Sequence, residues 1–136
     1  MVETIEHEGV VLAIVVRSSY RRDGIEFFTP AEYSQQLAYM KRPSGYVIAP
    51  HVHNAVKREV QFTREVLFIR SGRVRVDLYD DDRRRVRDVV LGAGDVILLA
   101  RGGHGLEMLE ECEMIEVKQG PHVGEADKTR FEPAPR

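Results

Sequence analysis

The sequence is short of cysteine. Cys112 is the only one, so no disulfide can close within the chain, and a reducing cytoplasm is the expected compartment. Neither sign of charge is in marked excess: 20 basic residues face 22 acidic ones, a net of -2. That balance gives no electrostatic footing for nucleic acid or an anionic membrane. Long hydrophobic runs are also missing. The longest, residues 9–16, cannot span a bilayer and lacks the basic lead and cleavage site of a signal peptide. There is no P-loop, no dinucleotide fingerprint and no Gly-x-Ser-x-Gly element, which disfavours nucleotide-driven and covalent chemistry. Repeats, low-complexity tracts and linkers are absent too.

What remains is a chain of 136 residues, 43% apolar and 31% charged, the composition of one soluble globular domain. Its organisation reads as short strands. Residues 9–16 are β-branched and apolar, the pattern of a buried strand. Further strands are expected at 25–28, 37–41, 46–53 and 60–62, and then at 65–70, 74–79, 86–91, 96–100, 106–109 and 113–118. Ser71-Gly72 between two of these predicts a hairpin, and 106–109 is expected to pair with 113–118. Thr29-Pro30-Ala31-Glu32 has the form of a helix start, which predicts one or two helical turns near 30–35. Residues 1–136 therefore form a single all-β domain, with N-terminal strands within 7–28, a core over about 36–118 and a surface tail at 120–136.

His51 and His53 stand two apart, so on a strand both imidazoles share a face and can reach one ion. Glu65 opens an apolar strand on the side of Leu67 and Ile69, and His104 follows a strand in a glycine-rich turn. Three histidines and a carboxylate suit a divalent transition metal with positions left for water or substrate. Paired strand histidines taken alone are more often surface residues; Glu65 and His104 tip the balance. Glu59 and Gln61 remain alternatives to Glu65. Tyr46, Lys57, Gln61 and Met108 are candidate pocket residues, although Tyr39, Tyr46, Phe62 and Met108 equally suit a plain core. Lys57 and Arg58 could draw in an anionic substrate, with a solvated surface the simpler reading. His7 and His122 lie in polar terminal segments and read as exposed.

These residues resemble the cupin superfamily in its small single-domain form. Gly45, five residues, His51-Val52-His53, a gap, Glu65, six residues and Gly72 follow the order of its first motif. Gly94, a short strand, Arg101-Gly102-Gly103 and His104 follow the second. The gap after His53 is longer than the family's, and Ala100 stands where proline is usual. The resemblance covers residues 45–104. It implies a double-stranded β-helix, a jelly-roll-like barrel whose mouth holds a metal on His51, His53, Glu65 and His104. Iron, manganese, nickel and zinc all accept that donor set. The implied activity is a metal-dependent isomerase or epimerase on a small polar, sugar-related substrate. An iron-dependent dioxygenase and a non-catalytic ligand-binding or sensing domain are the alternatives, and a metal-free site with histidine as base is a third. Residues 66 and 68 are apolar on the face opposite Glu65, so both faces of that strand expect cover, which suggests a homodimer.

Overall fold

The computed structural model describes residues 1–133; the last three residues of the expected tail, 134–136, lie outside them. The fold is almost entirely antiparallel β-sheet. The strands are β1 (Val2–His7), β2 (Val10–Val16), β3 (Gly24–Phe27), β4 (Ala38–Lys41), β5 (Glu65–Ser71), β6 (Arg73–Tyr79), β7 (Arg85–Gly92), β8 (Val96–Leu99), β9 (Gly103–Met108) and β10 (Glu113–Lys118). One sheet has the order β1-β2-β8-β5-β10, a second β7-β6-β9, and β3 with β4 forms a separate ribbon. Among the described residues no helix is long and apolar enough to cross a membrane.

The core lies where the two larger sheets meet. Leu12, Ala13 and Val15 of β2, Leu67 and Ile69 of β5, and Ile97 and Leu99 of β8 pack with Val74, Val76 and Leu78 of β6 and Val89 and Leu91 of β7. Strand alternation sends these side chains inward. On β5 it buries Leu67 and Ile69 and leaves Phe68 exposed. Asp95 fastens the turn before β8: its carboxylate accepts from the backbone N–H of Ser18 and of Gly92, each at 2.8 Å, and from Arg17 Nη1 at 3.2 Å. Arg17 also donates to Glu3 and to the Val90 carbonyl, so one guanidinium joins β1, β7 and the β8 turn.

Several expectations give way. The segment 65–79 is not a hairpin: β5 pairs with β8 and β10, and β6 with β7 and β9. Gly72 is the corner between the two sheets. Its φ is +82°, and a Cβ there would lie 2.0 Å from the Glu111 carbonyl oxygen, so only glycine fits. Likewise β9 pairs with β6 rather than with β10. The helical turns near 30–35 do not form. Thr29 Oγ1 donates to Gln36 Oε1 and accepts from Leu37 N–H, while Gln36 Nε2 donates to the carbonyls of Pro30 and Tyr33. The would-be cap thus ties off a loop, and the one helix among the described residues is a 3-10 turn at Gly124–Asp127. No strand forms at 46–53 or at 60–62; that stretch has no neighbouring strand to bond to, and Pro50 withholds one donor. Conversely, β1 was not expected. Its Val-Glu-Thr-Ile-Glu-His alternation is weak, with Ile5 as its one fully buried side chain.

Candidate functional site

The residues that meet are Glu65 and His104. Glu65 opens β5 and faces Lys118 across the β5–β10 pair and Leu99 across the β5–β8 pair. His104 is the second residue of β9, cross-strand from Leu78 of β6. The two sheets converge at this end of the core, and His104 Nε2 donates to Glu65 Oε1 at 2.8 Å. The carboxylate is well buried and the imidazole about a third exposed. Neutral histidine with its proton on Nε2 keeps its lone pair on Nδ1, so the bond sets which nitrogen can act as base.

The pair lies in a cavity of about 700 Å³. Phe62, Tyr79, Arg101, Lys118, Lys128 and Phe131 complete much of its wall. The chain after β10 closes one side. Phe131 packs edge-on against Tyr79 at 5.0 Å between ring centroids, and Thr63 donates to Asp127. Arg101 lies over the Phe62 ring at 4.3 Å and pairs with Asp81 at 3.3 Å. Gly102 makes the close approach possible: its φ is +76°, and a Cβ would fall 2.2 Å from the Tyr79 carbonyl oxygen. Lys118 and Lys128 also line the cavity, and neither forms an ion pair among the described residues.

Electrostatics divides the carboxyls. The hydrogen bond from His104 holds Glu65 down to about 2, against burial, which works upward. Glu116, beside Glu65 on the neighbouring strand, is raised by its hydrogen bond to that carboxylate and by burial. The sign follows directly. Glu65 has a folded-state value below its ordinary 4.5, so its ionised form adds stability above that pH, and the contribution is lost as pH falls toward about 2. Glu116 works in the opposite sense and offsets part of it. Between about pH 5 and pH 2.5, wild type should therefore lose about 1–2 kcal/mol more unfolding free energy than Glu65→Gln. Urea titrations across that range check it; parallel losses in the two proteins would contradict the pairing.

The other candidates lie elsewhere. His51 and His53 stand in the exposed stretch 42–63, with ring centroids 5.3 Å apart and His51 Nδ1 2.9 Å from the Ala49 carbonyl oxygen. Tyr46 is exposed beneath the Arg42 guanidinium, and Lys57, Glu59, Gln61 and Met108 are exposed. None of them lines the cavity of Glu65 and His104. His7, expected to be exposed, is half-buried and stands 3.6 Å from Asp80. Among the described residues no three His, Cys, Asp or Glu side chains gather as metal donors. His104 Nε2, moreover, is engaged by Glu65. As arranged in one chain, these residues do not fit a resident metal ion. From sequence, Lys118 is not a candidate, and residues 127–131 read only as a segment that could cap a barrel end or a dimer partner, with no role at the site for Lys128 or Phe131. The register of Lys118 opposite Glu65 was the one available signal, and it depended on knowing that β10 pairs with β5.

Comparison with protein-family models, with curated proteins and with solved structures finds no match.

Proposed function

We propose that this chain is a small cupin-like double-stranded β-helix whose cavity takes a small polar anion, and that His104 moves a proton on it. One observation carries the reading: an imidazole bonded to a largely buried carboxylate lines a cavity that also holds the ammonium groups of Lys118 and Lys128, neither of them in an ion pair among the described residues. Glu65 fixes the His104 tautomer and stabilises the imidazolium that forms when Nδ1 accepts a proton. A carbon acid beside a carbonyl is the matching substrate. Its proton passes to Nδ1, the electron pair moves onto the carbonyl oxygen, and the nearby lysines favour that charge. Protonation of the same carbon on its other face by water, with His104 returning its proton to the hydroxide so formed, gives an epimer; return of the His104 proton to the adjacent carbon, as that carbon's hydroxyl proton passes to the former carbonyl oxygen, gives an isomer. The sugar-acid class combines the carboxylate, the carbonyl and the polarity.

Ligand binding tests the anion requirement. Small sugar acids should raise the melting temperature of the protein, while the corresponding neutral sugars should not. Lys118→Gln/Lys128→Gln should weaken acid binding by about tenfold or more, and added salt should weaken it in wild type. Equal response to neutral sugars, or unchanged affinity in the double variant, would contradict the reading.

A second reading keeps a divalent iron, manganese, nickel or zinc ion. It rests on the sequence order of His51, His53, Glu65 and His104 alone, since the first two stand apart from the cavity of the other two. Stoichiometric metal in purified wild type that is lost in both His51→Ala and His104→Ala would establish it; metal-free protein would remove it.

A further inference from the structure

The chain after β10 is tied to the sheets near its start and then hardly at all. Gln119 N–H donates to the Arg64 carbonyl at 3.0 Å. Among the described residues, no backbone hydrogen bond joins 120–133 to either sheet. The segment braces itself instead. Arg130 donates to both carboxylate oxygens of Glu125, at 2.6 and 3.4 Å, and Lys128 N–H donates to the Glu125 carbonyl. Side chains alone fasten this braced body to the fold. Thr63 donates to Asp127, and Phe131 occupies a seat made by β6 and β9. Its ring meets Tyr79 edge-on, with the Arg83 guanidinium 5.5 Å from its centroid. Gly103 makes room for it: a Cβ there would stand 3.0 Å from Phe131 Cζ. Asp127, Lys128 and Phe131 of this segment all line the cavity of Glu65 and His104.

We infer that residues 120–133 are a lid over that cavity, and that Phe131 in its seat on Tyr79 and Gly103 is the latch. A segment that is braced internally but held to the fold by a few side chains opens well before the sheets do. An aromatic edge contact and a distant guanidinium are weak fastenings, so the latch releases without disturbing the core beneath it. Opening uncovers His104 and carries Lys128 away from the cavity. The inference concerns access to the cavity and does not depend on the proposed reaction.

Modification by diethyl pyrocarbonate, followed residue by residue with mass spectrometry, tests it on the full chain. The reagent acylates neutral imidazole. His51 and His53, exposed and away from the lid, report its general reactivity, and His104 reports entry to the cavity. Phe131→Ala should speed modification of His104 at least about threefold and leave His51 and His53 at their wild-type rates. Gly103→Ala crowds the seat from the opposite side and should also speed His104. In the Phe131→Ala background it should add little, because the latch is already gone. An unchanged His104 rate in Phe131→Ala overturns the inference. So does equal acceleration at all three histidines, or full additivity of the two substitutions. Loss of the β-sheet circular dichroism spectrum in Phe131→Ala also overturns it, since Phe131 would then hold the fold together rather than latch a lid.

Discussion

Replacing His104 with alanine should lower kcat/KM for the proposed proton transfer by about 10²–10⁴, the usual worth of a positioned general base. The loss should fall on kcat, because in the proposed reaction the imidazole acts on the reacting proton and the lysines supply the attraction for the anion. Glu65→Gln keeps the shape of the site and can still accept from His104 Nε2, so it should retain more activity than His104→Ala. It removes the charge that stabilises the imidazolium formed in the reaction, so kcat should fall while KM for the acid stays near wild type. Both variants alter the partly exposed rim of the core and should retain the wild-type circular dichroism spectrum.

Leu78→Ala should cost about 2–5 kcal/mol of stability. Leu78 is fully buried, packs in the cluster shared by the two sheets, and stands directly across from His104 in the β6–β9 register. Truncation removes apolar contacts and leaves a void that a β-sheet core closes poorly. In urea the midpoint falls while the slope stays near wild type, since the surface exposed on unfolding hardly changes. The same void lies behind β9, so His104 should lose some of its fixed geometry before the protein unfolds. A change under 1 kcal/mol would mean that this end of the core is looser than the packing implies.

Strands β5 to β8 and β10 were legible because their alternation is strong and their turns are rich in glycine and charge, whereas His104, expected in a turn before a strand at 106–109, lies within β9, which starts at Gly103. What sequence did not convey was which strands pair. Gly72 between two apolar strands has the form of a hairpin, yet it serves as a corner between sheets, forced by the Glu111 backbone lying against it. That contact comes from a segment 39 positions away, and no local pattern encodes it. The site divides in the same way. Glu65 and His104 were visible through spacing and strand register, and they do meet. Lys118 reaches the cavity through the pairing of β10 with β5, and Lys128 and Phe131 through the path of the chain after β10. His51 and His53 were expected on a strand, but a strand needs a bonded neighbour as well as a favourable sequence, and the single chain gives that segment none.

The central claim is that the Glu65–His104 pair transfers a proton on a small anionic carbon acid. Solvent-deuterium incorporation measures it most directly. The protein is incubated in D₂O with keto and uronic sugar acids, and loss of the proton next to the carbonyl is followed by NMR. The account predicts exchange with wild type at one such position and a rate about 10²–10⁴ lower with His104→Ala. No exchange with any acid bound by wild type, or exchange at the same rate in His104→Ala, would contradict it.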